Sequence, residues 1–167
     1  MITKINMNMK LSEHFTLAEL TKTSVMIENV PNEAQVENLK RLCSWLEMLR
    51  SEWNNRYAGS LTPNPSPKGE GNSDDPIIIN SGYRSPAVNK AVGGAQNSNH
   101  LTGCAADIRC LGIEQALRYA TILLDIADEG REDFDELLME RNAKGNYWLH
   151  FAVRPEGNRR KIVFLRV

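Results

Sequence analysis

At 167 residues the chain has the length of one domain, enough to bury roughly 70% of the surface its unfolded form exposes, so its core needs no disulfide or metal to fold. Its 20 Lys and Arg against 21 Asp and Glu leave a formal charge of −1, and 41% hydrophobic with 25% charged residues is ordinary globular composition. These figures argue against a basic nucleic-acid-binding coat, an acidic tail protein and a disordered chain.

Residues 1–10 alternate Ile, Met, Asn and Lys without the apolar run of a signal peptide, and no stretch approaches the ~20 apolar residues of a membrane span. The expectation is a protein made in the cytosol that reaches any target beyond the membrane through another component. Thr16 followed by Glu19 has the spacing of a capping box and predicts a short helix with Leu17 and Leu20 inward. Asn32 and Gln35 repeat that signal. After them Val36, Leu39, Leu42, Cys43, Leu46, Leu49 and Trp53 fall at the three-and-four spacing of one buried face, the main core helix. Residues 58–75 turn to Gly, Ser, Asn and Pro, with Pro63, Pro65 and Pro67 at alternate positions, and are expected to be a mobile insertion in one domain spanning 1–167.

Ile77, Ile78 and Ile79 read as a short strand buried on both faces. Ser85-Pro86 starts a short helix that Gly93-Gly94 closes, residues 95–103 form a loop, and residues 105–109 have strand character. A second long helix is predicted over 113–126, with Ile113, Ala116, Leu117, Ala120, Leu123, Leu124 and Ala127 on its buried face. Three strands follow, near 134–140, 148–153 and 161–167. Cys43, Cys104 and Cys110 lie in apolar surroundings at no zinc-knuckle spacing and read as small buried hydrophobes. Helices first and strands mostly late predict an α+β domain, a small antiparallel or mixed sheet packed against two main helices.

Only three histidines occur, so each carries weight. His100 lies in the small-residue loop Ser98-Asn99-His100-Leu101-Thr102-Gly103. Seven positions on, Asp107 interrupts the apolar strand Cys104-Ala105-Ala106-Asp107-Ile108, where a carboxylate is costly to bury unless a cation or metal pairs with it. His150 stands alone among aromatic and apolar neighbours in Tyr147-Trp148-Leu149-His150-Phe151. Taken singly, His100 reads equally as an exposed loop residue, His150 as a hydrogen-bonded core histidine and Asp107 as a turn or salt-bridge residue. Taken together, two imidazole nitrogens and one carboxylate oxygen suit a catalytic zinc with its fourth position open to water. His14 has no partner in this pattern and reads as a surface or supporting residue.

The run Ser81-Gly82-Tyr83-Arg84-Ser85-Pro86, then Asn89-Lys90-Ala91-Val92-Gly93-Gly94, then residues 98–108, with Trp148-Leu149-His150 later, closely resembles the zinc D-Ala-D-Ala carboxypeptidases and related peptidoglycan peptidases. The resemblance implies a hedgehog/D-Ala-D-Ala-peptidase-like fold, one Zn²⁺ on His100, Asp107 and His150, and hydrolysis of a peptide bond in peptidoglycan stem peptides, either as a carboxypeptidase or as an endolysin-type endopeptidase. It implies contact of Arg84 with substrate near the scissile bond, where a permanently charged guanidinium can fork onto a carboxylate or polarise a carbonyl. A loop-capping surface arginine is the other reading. Ser98 resembles a position that holds substrate or the metal loop, and equally reads as a turn serine.

The general base departs from the family pattern. Where many members carry a carboxylate three residues before the last histidine this chain has Tyr147, and where others carry a histidine five before, it has Gly145. The nearest candidate is Glu140, which resembles a residue of the strand preceding the third ligand, if residues 142–145 form the hairpin turn. Its face depends on strand register, since a one-residue slip reverses it; the plain alternative is pairing with Arg141 or Lys144. Tyr147 is the other candidate at the scissile bond, expected to touch substrate and, in place of a catalytic Glu140, to donate to the oxyanion. The basic run Arg154, Arg159, Arg160, Lys161 and Arg166 reads either as a solvated face or as a contact for anionic wall polymers. The partner expected is the stem peptide, met by a monomer with no nucleic acid involved. The competing function is a non-catalytic zinc-containing cell-wall-binding module of the same fold. A structural zinc is a third reading, under which metal removal unfolds the chain.

Overall fold

A computed structural model describes residues 6–57 and 74–167. The insertion expected at 58–75 falls, apart from Asp74 and Asp75, outside the described residues. Both capping boxes form. Thr16 Oγ1 accepts from the Glu19 amide at the start of α1 (Leu17–Leu20). Asn32 and Gln35 bond reciprocally, amide to side chain, at 2.7 and 2.9 Å where α2 (Glu33–Tyr57) begins. Every apolar position predicted for α2 is buried, joined by Trp45. Ser85 caps α3 (Pro86–Ala91) by accepting from the Val88 amide.

Five strands form one mixed sheet in the order β1-β2-β4-β3-β5: β1 (Ile79–Ser81), β2 (Ala105–Cys110), β3 (Glu136–Arg141), β4 (Tyr147–Ala152) and β5 (Lys161–Arg166). All neighbours are antiparallel except β3 and β5. Side chains alternate across a strand, and here the alternation sorts apolar from polar. Ala106, Ile108, Leu137, Leu149 and Phe151 point to one face and join the core with α2 and α4 (Ile113–Gly130), where Trp45 meets the Phe151 ring at 5.4 Å. Fully burying a Leu or Phe contributes about 1.5–3 kcal/mol, so this layer holds the sheet rigidly under whatever its other face carries. That other face presents Asp107, His150 and Leu138 in one row. The expected α+β class and mixed sheet on two helices are what the chain forms.

Two local expectations are corrected. The strand sits at Ile79–Ser81 rather than over Ile77–Ile79, and Ile78 is only half-buried. It is an edge strand with one neighbour, and a register irregularity lies within it. The buried face of α4 is Ala116, Tyr119, Ile122, Leu123 and Ala127, while Ile113 and Leu117 are 46% and 52% exposed. Tyr119 turns the helix toward α2 by packing edge-on against Trp53 at 4.8 Å. The helix also runs past 126 to Gly130, ending on Arg131 in the left-handed region. All three cysteines are buried and unpaired by disulfide, as expected. Among the described residues no helix is long and apolar enough to cross a membrane.

Candidate metal centre

Asp107 on β2 and His150 on β4 are direct register partners, so the antiparallel pairing sets their side chains next to each other on the polar face. His100 arrives from a 3₁₀ turn, Asn99–Thr102, where Ser98 Oγ accepts from the His100 amide and Gly103 closes the turn at φ +73°. A Cβ on Gly103 would lie 2.6 Å from the Gln35 carbonyl oxygen, so glycine is what lets the turn sit against α2. Gln35 Nε2 then donates to the Leu101 carbonyl at 3.0 Å.

The three side chains converge. His100 Nε2 lies 3.1 Å and His150 Nδ1 2.9 Å from the same oxygen, Asp107 Oδ1, and the three ligand atoms lie within 4.8 Å of one another. All three residues are buried. His100 Nδ1 is 2.6 Å from the Gly82 carbonyl, which can only accept, so that nitrogen carries a proton and Nε2 faces the centre. For both rings to bond Asp107 Oδ1, both inward nitrogens must be protonated; a cation held between the three atoms serves the same three lone pairs without those protons. Burial pushes the Asp107 carboxyl up, but the two imidazoles outweigh it and hold the group far below the usual carboxylate range. Burial likewise lowers the His150 pKa, and its bonds to Asp107 and Glu136 reverse that and raise it to about 9. Donor set, burial and convergence fit a tetrahedral divalent ion with one open position.

Arg84 holds the remaining oxygen of Asp107, with Nη2 2.5 Å from Oδ2 and Nε donating to Ser81 Oγ at 2.8 Å. It thereby aims Oδ1 at the histidines. A cavity of about 450 Å³ opens beside it, lined by Lys22, Thr23, Ser24, Asn80, Ser81, Arg84, Val88 and Val92, with cations but no carboxylate in its wall. Glu140 stands opposite Trp148, two residues from His150, and so shares the polar face. Burial, then the charge of Asp107, raises the Glu140 pKa above its usual value.

Tyr147 is three residues from His150 and faces the other way. It packs against the core with the Arg141 guanidinium 5.7 Å above its ring, so the expected substrate or oxyanion contact is withdrawn. Ser98 is seated as the cap of the His100 turn. His14 lies at the surface against Glu47, at 2.7 Å. The basic run is largely spoken for within the protein: Arg154 and Arg159 hold Asp135, Arg160 holds Asp128 and Asp133, and Lys161 holds Glu136. Their side chains stay a third to a half exposed, so the run is a solvated face whose charges are paired with neighbouring carboxylates.

Sequence reasoning passed over the cluster behind His150. Asp135 is wholly buried and takes both a two-pronged bond from Arg159 and one from Asn99 Nδ2 at 2.7 Å. Glu136 Oε2 lies 3.4 Å from His150 Nε2. The available signal was an acidic pair opening an otherwise apolar strand, a position where a carboxylate needs a partner.

Residues 68–135 match a family model described as peptidase M15. A stretch of 35 residues is 54% identical to the zinc D-Ala-D-Ala carboxypeptidase of Streptomyces albus G, covering 21% of this chain and 14% of that protein. The chain therefore aligns with a small part of the curated relative it matches. His100 and Asp107 fall inside the family match, and the sheet brings His150 to them from outside it. Through the segment that carries Arg84, His100 and Asp107 the chain is similar to the peptidase M15 family, which bears out the resemblance drawn from its motifs.

Proposed function

We propose that this chain is a zinc-dependent peptidase that hydrolyses a peptide bond in peptidoglycan stem peptides, with His100 Nε2, Asp107 Oδ1 and His150 Nδ1 holding one Zn²⁺. The observation that carries the reading is the convergence of those three buried atoms within 4.8 Å on a face otherwise backed by a rigid apolar layer. When bound, the ion supplies Lewis acidity, bringing the pKa of a water to about 7 and polarising a carbonyl.

The protein's own residues do the rest. Glu140, whose pKa burial and then the charge of Asp107 push upward, suits a group that takes the proton of the attacking water and returns it to the departing amine nitrogen. Arg84 fixes the orientation of Asp107 and borders the neighbouring cavity with Lys22. A peptide ending in a carboxylate, with a small apolar side chain against Val88 and Val92, suits that wall. The carboxypeptidase name of the Streptomyces albus G protein supports a terminal D-Ala-D-Ala bond as the substrate here.

Purified peptidoglycan digested with the protein, with and without chelator, tests the reading when released fragments are identified by mass spectrometry. Release of terminal D-Ala, abolished by chelation and restored by Zn²⁺, is expected. Release unaffected by chelation refutes the metal mechanism. Retention of the wall without any release moves the assignment to a binding module. The far-UV circular dichroism of the chelated protein should stay near that of the holoprotein, because α2, α4 and the apolar face of the sheet do not depend on the ion.

A further inference from the structure

His150 turns Nδ1 toward Asp107, which leaves Nε2 on the far side of the ring, buried and without a hydrogen bond that meets normal geometry. Glu136 Oε2 stands 3.4 Å from that nitrogen. Glu136 opens β3 opposite Ala152, two residues from His150, and so lies on the same face, diagonal to the ring. Its other oxygen, Oε1, is held by Arg159 Nη2 at 2.9 Å and Lys161 Nζ at 3.2 Å, which orients the carboxylate and keeps Oε2 turned inward. The same Oε2 accepts from Asn99 Nδ2 at 2.9 Å. Asn99 is the residue immediately before His100, in the turn that delivers it.

We infer that Glu136 is the positioning residue of the metal centre, one carboxylate oxygen that orients His150 through its Nε2 proton and His100 through Asn99. The inference rests on the metal-binding reading above. Once a cation occupies the Nδ1 lone pair of His150, the ring proton must sit on Nε2, and a buried N–H needs an acceptor. Glu136 provides it, and its negative charge makes the ring a better donor to the ion. The two glutamates of β3 thus have separate tasks: Glu140 moves a proton, Glu136 holds the ligands and touches no substrate.

Zn²⁺ affinity by competition with a chromophoric chelator, together with the visible absorption of the Co²⁺-loaded protein, tests this on the full chain. Glu136→Ala should weaken Zn²⁺ binding up to about 100-fold, and Glu136→Gln, which keeps an oxygen but loses the charge, about tenfold. Both should shift the Co²⁺ bands. Lys40→Ala, which breaks an exposed ion pair with Glu37 within α2, is the control and should leave both readouts within about threefold of wild type. Wild-type affinity and an unchanged Co²⁺ spectrum in Glu136→Gln overturn the inference even if the alanine variant does not fold. If the wild-type protein itself takes up neither metal, the metal-binding reading falls first and this one with it. If wild type binds and the Glu136 variants bind equally, only this one falls.

Discussion

Gly82 carries the carbonyl that fixes the His100 ring, and its missing side chain is what allows that carbonyl to be where it is. A Cβ at position 82 would lie 2.3 Å from the Leu20 carbonyl oxygen and 3.0 Å from Leu20 C and Cα, about 1 Å inside ordinary contact. Nothing on either side yields easily. Leu20 is wholly buried at the end of α1, and its oxygen already accepts from the Tyr83 amide at 2.7 Å. In Gly82→Ala the segment must therefore retreat by about 1 Å, and the 2.6 Å bond from His100 Nδ1 to the Gly82 carbonyl is stretched beyond hydrogen-bond reach. Overpacking of this kind costs about 1–3 kcal/mol of stability. A ligand ring released from its outer partner loses about 10–100-fold in metal affinity, and an ångström of misplacement costs roughly 100-fold in turnover. Urea unfolding, chelator competition and peptidoglycan digestion measure the three separately. Gly93→Ala is the control: at φ +72° with nothing near its Cβ it should lose about 1 kcal/mol from backbone strain and leave metal affinity untouched. A Gly82→Ala protein that binds Zn²⁺ and turns over like wild type refutes the claim that this carbonyl sets His100.

Glu140→Gln should lower the rate of stem-peptide hydrolysis by 10²–10⁴-fold, as loss of a general acid–base does, while the protein keeps its zinc; equal turnover places the base elsewhere. Tyr147→Phe, on the core side of the sheet, should leave turnover unchanged, and a large kcat loss would mean that the strand register is misread. Asp135 resists burial's upward push because Arg159, Asn99 and Arg154 hold its carboxyl below the ordinary value. A depressed carboxylate stabilises the fold above the ordinary carboxylate pKa of about 3.9 and loses that contribution as pH falls toward its native value. Asp135→Asn should therefore cost about 3 kcal/mol near neutrality, at the low end for breaking a buried pair because Arg159 is half-exposed, and the gap to wild type should close in acid urea titrations.

What could be read in the sequence was whatever a local period or a rare residue type makes visible. Each buried position of α2 repeats at helical spacing, and the boxes at Thr16 and Asn32 act within one turn, so both were legible. The grouping of His100, Asp107 and His150 was legible because histidines are few, because Asp107 stands in an apolar strand where a carboxylate needs a partner, and because the surrounding motifs resemble a known family. The phase of α4 was not, since Ala, Leu and Ile lie on several of its faces and the choice is made by Tyr119 meeting Trp53. Asp135 and Glu136 were passed over because the cations that hold them come from residues 154–161, across the β3–β5 crossover.

Register was the decisive missing quantity, and it reduces to parity. With His150 paired to Asp107 and Leu138, every even step along β3 and β4 stays on the metal face and every odd step leaves it. Tyr147 is an odd step from the ligand and belongs to the core. Glu136 and Glu140 flank Leu138 by two residues on either side and must both face the centre, one toward each diagonal of the same imidazole. A one-residue slip would bury both carboxylates against Phe151 and Leu149 and expose Leu137 and Met139 to water. The apolar face of the sheet, through the packing of Leu137, Leu149 and Phe151 on the helices, is therefore what sets Glu140 and Glu136 on the opposite face with His150 and Asp107.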